Sequence, residues 1–211
     1  MMILTAEQVR EVIAKLRGRA MYARAITALF TGLRRGELLA LRWGNTDLDG
    51  EKVIKVREAV EQTKVGGLRF KAPKTKAGRR DVTLPDIVID ALREHRKQQL
   101  EFRMALGLGK PSNDVLVFPA LNGGPQAPRT FSKEWAVTAN SLGFSELTFH
   151  ALRHTHASQL IDAGIDIVTI SKRLGHASPN ITLTIYAHLF RERDDKAANA
   201  INDALAGLGK A

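Results

Sequence analysis

The chain predicts an α+β fold, mainly helical, carrying a small three-stranded antiparallel sheet. Three observations carry that expectation. Apolar residues recur at helical spacing near the start, at Val9, Val12, Ile13 and Leu16, and helical patterning returns through most of the second half. Between Asp47 and Pro85 the period shortens into β-rich pieces, Val53-Ile54-Lys55-Val56, Leu68-Arg69-Phe70 and Asp81-Val82-Thr83-Leu84, separated by glycine turns. The length of 211 residues suits one good core, so a single domain is expected.

Thr5 to Gln8 has the T-x-x-Q form of a capping box and opens the first helix. A second apolar run, Met21 to Phe30, ends at Thr31-Gly32, and helical pattern resumes through Leu38, Leu39 and Leu41. Arg34 therefore sits at a break between two helices, aimed into a cleft, with Trp43 closing the core beside it. The three β pieces read as consecutive antiparallel strands, with Lys76 in the turn joining the last two, where Ala77-Gly78 permits a tight reversal. Asp86 opens a long helix to about Leu106. The Pro/Gly/Asn-rich stretch from Lys110 to Pro128 reads as loop around a short Val115–Phe118 strand, and helices fill the remainder. Gly164 divides an apolar pattern, Leu152 to Ala163 and Ile167 to Leu174, that has a helix-turn-helix look. Arg191 to Leu208 forms a final helix with an apolar face at Ala197, Ala198, Ile201, Leu205 and Leu208.

Lysine and arginine number 32 against 22 aspartate and glutamate, a formal charge of +10 with a sequence pI near 10.1. Such a chain attracts polyanions, and nucleic acid is the leading partner. A soluble basic protein without a specific ligand has the same totals, so the position of the charges has to decide. With no cysteine there is no disulfide, thiolate nucleophile or thiolate metal site. No apolar run approaches a membrane span, and Met1-Met2-Ile3-Leu4-Thr5 is too short for a signal-peptide core.

Four motifs hold residues fit to attack a phosphodiester: Thr31-Gly32-Leu33-Arg34-Arg35-Gly36-Glu37, Lys74-Thr75-Lys76-Ala77-Gly78, His150-x-x-Arg153, and His176 followed by Tyr186. Arginines and a histidine can hold non-bridging oxygens, a lysine can protonate the leaving oxygen, and a phenol can attack. His150 and Arg153 share a helix face. His176 follows Leu174-Gly175, where glycine ends a helix and leaves the imidazole in a turn. Tyr186 is one of two tyrosines, and the other, Tyr22, has the spacing of a packing residue. Each residue alone has a plainer reading. Arg34 and Glu37 could form a local ion pair, both lysines could be surface charges, Tyr186 could simply pack, and residues 152 to 174 could serve a DNA-binding regulator. His154, His156 and His188 lack a carboxylate at metal-site spacing, so no metal site is expected.

Taken in order, Arg34, Lys76, His150, Arg153, His176 and Tyr186 resemble the catalytic domain of the tyrosine recombinases, the phage-integrase family. T-G-L-R-R-G-E-L-L-A-L at 31 to 41, K-T-K-A-G-R-R at 74 to 80, H-A-L-R-H-T-H-A-S at 150 to 158 and L-G-H-A-S at 174 to 178 carry the likeness, which runs from about Leu4 to Phe190. The resemblance implies that Arg34, Arg153 and His176 bind the scissile phosphate of double-stranded DNA and that His150 manages the proton of the nucleophile. By the same likeness Lys76 is the general acid and Tyr186 the nucleophile of a 3′-phosphotyrosyl intermediate, formed without cofactor, metal or ATP. Arg35, Lys74, Arg129, Lys133 and Lys172 are the candidate DNA-backbone contacts. Residues 1–190 are then the catalytic domain and 191–211 a helical tail for protomer contact in a tetrameric synapse. The core-binding domain that usually precedes the catalytic domain is expected to be absent from this chain. A bacterial or phage-encoded protein of the cytoplasm, working at the nucleoid, is implied.

Overall fold

A computed structural model of the chain describes residues 2–63, 65–73, 75–189 and 194–206. Helix α1 (Ala6–Leu16) begins with both halves of the predicted capping box: Gln8 N–H donates to the Thr5 hydroxyl at 3.2 Å and Thr5 N–H to the Gln8 side chain at 2.9 Å. It buries Val9, Val12 and Leu16. Helix α2 (Tyr22–Thr31) is apolar nearly all round and lies in the middle of the core against α4 and α6. Gly32, at φ 67°, ends it in the left-handed conformation, and α3 (Arg35–Leu39) starts at once. The predicted break before Arg34 is therefore real.

A 3₁₀ turn at Trp43–Asn45 leads to the strands β1 (Thr46–Asp47), β2 (Val53–Val56), β3 (Ala59–Thr63), β4 (Gly67–Lys71) and β5 (Arg80–Thr83). A three-stranded antiparallel sheet is present, but its order is β1-β2-β5, and β3-β4 form a separate two-stranded ribbon. The expected row of three consecutive strands is corrected accordingly. The reason lies in burial. Ile54, Val56 and Val82 face the core from β2 and β5, whereas β4 is exposed along most of its length and has no apolar face to place there.

Lys76 is consequently not at a hairpin tip. It opens a 3₁₀ turn, Lys76–Gly78, on the connection between the ribbon and the sheet, and the Thr75 hydroxyl accepts from Gly78 N–H. The Val115–Phe118 strand is also corrected. The segment makes only an isolated bridge, Leu116 with Arg42, and its backbone is tied down by Trp43 N–H to the Val115 carbonyl and Val117 N–H to the Leu41 carbonyl. Leu116, Val117 and Phe118 are buried, which explains their apolar character without a strand.

The remaining helices are α4 (Asp86–Ala105), α5 (Pro128–Ser141), α6 (Phe149–Asp162), α7 (Ile167–Leu174), α8 (Pro179–Tyr186) and α9 (Asp194–Leu205). Helix α6 is buried along most of its length, polar residues included. A side core of Ala157, Ile161, Ile170, Leu174 and Tyr186 joins α6, α7 and α8, separate from the main core. Arg191 and Leu208, at the ends of the expected tail helix, lie outside the described residues.

Candidate active site

Five of the six expected residues, Arg34, His150, Arg153, His176 and Tyr186, line one cavity among the described residues. The α2–α3 break supplies Arg34, α6 supplies His150 and Arg153, the turn after α7 supplies His176, and the last residue of α8 is Tyr186. The ribbon and the segment after it form the opposite wall, through Ala59, Glu61, Lys71, Ala72, Pro73, Thr75 and Gly78. Lys76 is exposed and is not among the lining residues; Lys71 is, its ammonium 2.9 Å from the Glu61 carboxylate. Lys74 lies outside the described residues.

Each arginine of the site is pinned by the carbonyl of a left-handed glycine that closes a helix. Arg34 Nη2 donates to the Gly175 carbonyl at 2.9 Å, and Arg153 Nη1 donates to the Gly32 carbonyl. Both glycines have positive φ, 67° at Gly32 and 68° at Gly175. The break that ends one helix thereby holds the cation carried by another. Arg153 Nη2 also donates to the Leu174 carbonyl at 2.8 Å and to His176 Nε2 at 2.9 Å. A guanidinium only donates, so Nε2 of His176 is its acceptor and Nδ1–H donates to the Thr182 hydroxyl at 2.7 Å.

Behind Arg34 stands an ion pair that the spacing of the sequence did not suggest. Arg80 and Glu37 are both buried, and the guanidinium grips both carboxylate oxygens at 3.1 and 2.9 Å. Glu37 also accepts from Arg34 Nη1 and from Arg34 N–H, both at 2.8 Å. Burial pushes the Glu37 carboxyl up, but the hydrogen bonds and charges of Arg80 and Arg34 outweigh it and hold the group below the usual carboxylate range. A signal for Arg80 existed: it alternates with Val82 on the face of β5 that turns inward, and a charge on such a face needs a buried partner.

Burial and the neighbouring charge of Arg34 push the Arg153 guanidinium down to about 9, with Glu37 pulling back, so it is a cation at neutral pH. Burial, with Arg153 and Arg34 next, takes His176 down to about 4. Desolvation and the charges of Arg153, Arg34 and Arg35 lower His150 as well. The imidazoles are thus neutral in a field set by guanidiniums. His150 meets the ring of His154 edge to face, centroids 4.6 Å apart, and it is His154 Nδ1 that lies 2.7 Å from the Tyr186 hydroxyl. His156 turns away to accept from Arg173 Nε at 3.0 Å.

The candidate backbone contacts are spread over the surface. Arg35 is exposed and hydrogen-bonds Ser132 of α5; Arg129 and Lys133 are exposed on that helix; Lys172 is exposed on α7. Lys133 lines a different groove, with Arg19 and Arg24.

Residues 2–193 match the phage integrase family. The chain belongs to that family. It is 34% identical over 209 residues to a XerC-like tyrosine recombinase of Caldanaerobacter subterraneus, covering 93% of this chain and 53% of that protein. It is 30% identical to the ICEBs1 integrase of Bacillus subtilis, over 84% of this chain and 47% of the relative. This integrase-family chain thus spans about half the length of the curated relatives it matches. Its fold is that of the Tn1549 transposon integrase solved with transposon right end DNA, with a TM-score of 0.78 at 22% identity, covering 97% of this chain and 66% of that one. The XerA recombinase shares it, with a TM-score of 0.66 at 24% identity over 97% of this chain and 65% of that one.

Proposed function

We propose that this chain is the catalytic domain of a site-specific DNA recombinase or integrase, which cleaves and rejoins double-stranded DNA through a 3′-phosphotyrosyl intermediate at Tyr186. One observation carries the reading: the cavity that holds the buried Tyr186 phenol also holds Arg34 and Arg153, and the carboxylate near them, Glu37, is hydrogen-bonded by Arg34 and by a third guanidinium, Arg80, behind it. Three positive charges against one negative leave two in excess, which suits the growing negative charge on the equatorial oxygens of a pentavalent phosphorus. Arg34, Arg153 and His176 hold the scissile phosphate in this reading. The Tyr186 oxygen attacks phosphorus, the bond to the 5′ oxygen breaks, and that oxygen takes a proton from a lysine, assigned to Lys76 by the family resemblance. Attack by another strand's 5′-hydroxyl reverses the steps. The phosphodiester energy is kept in the phosphotyrosyl bond and the arginines supply the charge, so the reaction calls for neither ATP nor metal.

Within this reading residues 1–190 are the catalytic domain, and 191–211 are a tail that docks on a neighbouring protomer in a tetrameric synapse. Ile201 and Leu205, exposed on α9, support the tail's role. Among the described residues no helix is long and apolar enough to cross a membrane. The bacterial cytoplasm, where the DNA lies, is the proposed compartment.

The test is covalent trapping. The chain is incubated in EDTA with a pool of random-sequence duplexes, each nicked so that the 5′-hydroxyl fragment diffuses away after cleavage, and the mixture is then denatured. A protein–DNA adduct mapped to Tyr186, lost in Tyr186→Phe, is expected. An adduct at another residue overturns the nucleophile assignment, and DNA binding without any adduct overturns the enzyme.

A further inference from the structure

We infer that His154, rather than His150, is the side chain that orients the Tyr186 phenol and accepts its proton as the phosphotyrosyl bond forms. The inference rests on the reading of Tyr186 as the nucleophile. Both residues are buried, the phenol at 1% exposure and the imidazole at 9%, and Nδ1 lies 2.7 Å from the hydroxyl. Among the described residues no other hydrogen-bond partner meets that hydroxyl. A buried phenol proton needs an acceptor, and the nearby Arg153 guanidinium offers only donors. Nδ1 is therefore the accepting nitrogen, and the ring carries its proton on Nε2.

The setting of the two rings separates their roles. His150 and His154 lie one helical turn apart on α6, edge to face, with His150 exposed and His154 covered. The covered ring touches the reacting oxygen and the exposed one touches its neighbour. Helix α8 brings Tyr186 onto α6 through the side core of Ala157, Ile161, Ile170 and Leu174, so the contact is fixed by packing on both sides. Burial pushes the phenol up to about 12, with Arg153 pulling down, so very little of it is phenolate at neutral pH and its proton has to be taken by a neighbour as it attacks. Burial, with His150 and Arg153 next, holds the His154 ring at about 4, which keeps it free to accept.

The step balances as follows. The O–H bond of Tyr186 breaks and its proton moves to His154 Nδ1; the phenol oxygen bonds phosphorus; the P–O5′ bond breaks and the 5′ oxygen is protonated by the general acid. In the reverse step the phenolate leaves phosphorus and recovers its proton from Nδ1. Proton transfer waits until phosphate oxygens occupy the Arg153 guanidinium, because its charge opposes an imidazolium at His154.

Two arms test this. The first needs no DNA: ¹⁵N spectra of the imidazole rings, with the His154 signals assigned by their loss in His154→Asn. An unprotonated Nδ1 that shifts in Tyr186→Phe is expected; a protonated Nδ1 overturns the proposal whatever the activity. The second arm is the rate of adduct formation with the random-sequence nicked duplex pool. His154→Ala is expected to slow it by about 10²- to 10⁴-fold. His154→Asn keeps an acceptor at the δ1 position without a usable base. It should remain slow, and its rate should climb about tenfold per pH unit from pH 6 to 9, whereas the wild-type rate stays nearly flat. An Asn variant with the wild-type rate and profile reduces His154 to a positioning residue and overturns the proton transfer. No adduct from the wild-type chain counts against the proposed function instead, and the first arm then decides the hydrogen bond by itself.

Discussion

His156 lies behind the site at 5% exposure, and burial together with the Arg173 charge pushes its pKa down to about 3. In the unfolded chain a histidine protonates near pH 6.5, so between about 6.5 and 3 the unfolded state binds a proton that the folded ring refuses. Stability from this residue is full above about pH 6.5, falls as the pH drops, and stops falling once the folded ring protonates. His154 and His176, each at about 4, act with the same sign. In His156→Gln the side-chain oxygen still accepts from Arg173 but does not titrate. Between pH 6 and 4.5 its loss of stability should be shallower than that of wild type by up to about 1.4 kcal/mol per pH unit. Urea midpoints at several pH values measure this, and parallel curves for the two proteins would sink the assignment. Residues such as Arg34, His150, Arg153, His176 and Tyr186 were legible because identity and order along the chain announce them. Their partners were not: Glu37 with Arg80 and His154 with Tyr186 are far apart in sequence, and local periodicity carries no record of which distant side chains meet.

The closing turn of α7 has to bend the chain and present a carbonyl to Arg34 at once, and Gly175 does both at φ 68°. A Cβ there would lie 2.6 Å from Arg80 Nη1 and 2.9 Å from its Cζ, in addition to the strain of a left-handed side chain. Gly175→Ala is expected to lower stability by about 1–3 kcal/mol and to weaken adduct formation, because Arg80, Glu37 and Arg34 move together. Gly18 is the control: its φ is 75° and no atom lies within 4 Å of a Cβ, so Gly18→Ala carries the strain alone. Equal costs for the two variants, read by thermal unfolding, would mean that the crowding at Arg80 has no consequence. The helices, their caps and the break at Gly32 were readable because each is encoded within a turn or two of its own sequence. Strand pairing was not. β5 joins β2 across the whole intervening ribbon, Val53 opposite Thr83 and Val56 opposite Arg80, and only burial of one face distinguishes that partner from β4.

At the scale of the molecule, +10 of formal charge predicts affinity for DNA but says nothing of where the phosphates run. Lysines and arginines that neutralise phosphates release counterions, so the logarithm of the affinity falls with the logarithm of salt by about 0.9 per contact on duplex DNA. Position in the structure makes this a test of individual residues. Lys172 is exposed on α7, the helix whose closing turn carries His176, while Lys133 is exposed on α5 and lines the groove with Arg19 and Arg24. The path under test is one in which the backbone that meets Arg34 and Arg153 also crosses α7, whose closing turn carries His176. Lys172→Ala should therefore reduce the salt slope by about 0.9, and Lys133→Ala should do so only if the duplex also crosses α5. Fluorescence anisotropy with a random-sequence duplex between 50 and 300 mM salt gives both slopes. A Lys172→Ala protein that binds more weakly at every salt concentration but keeps the wild-type slope has lost packing rather than a phosphate, and the path past α7 would then be wrong.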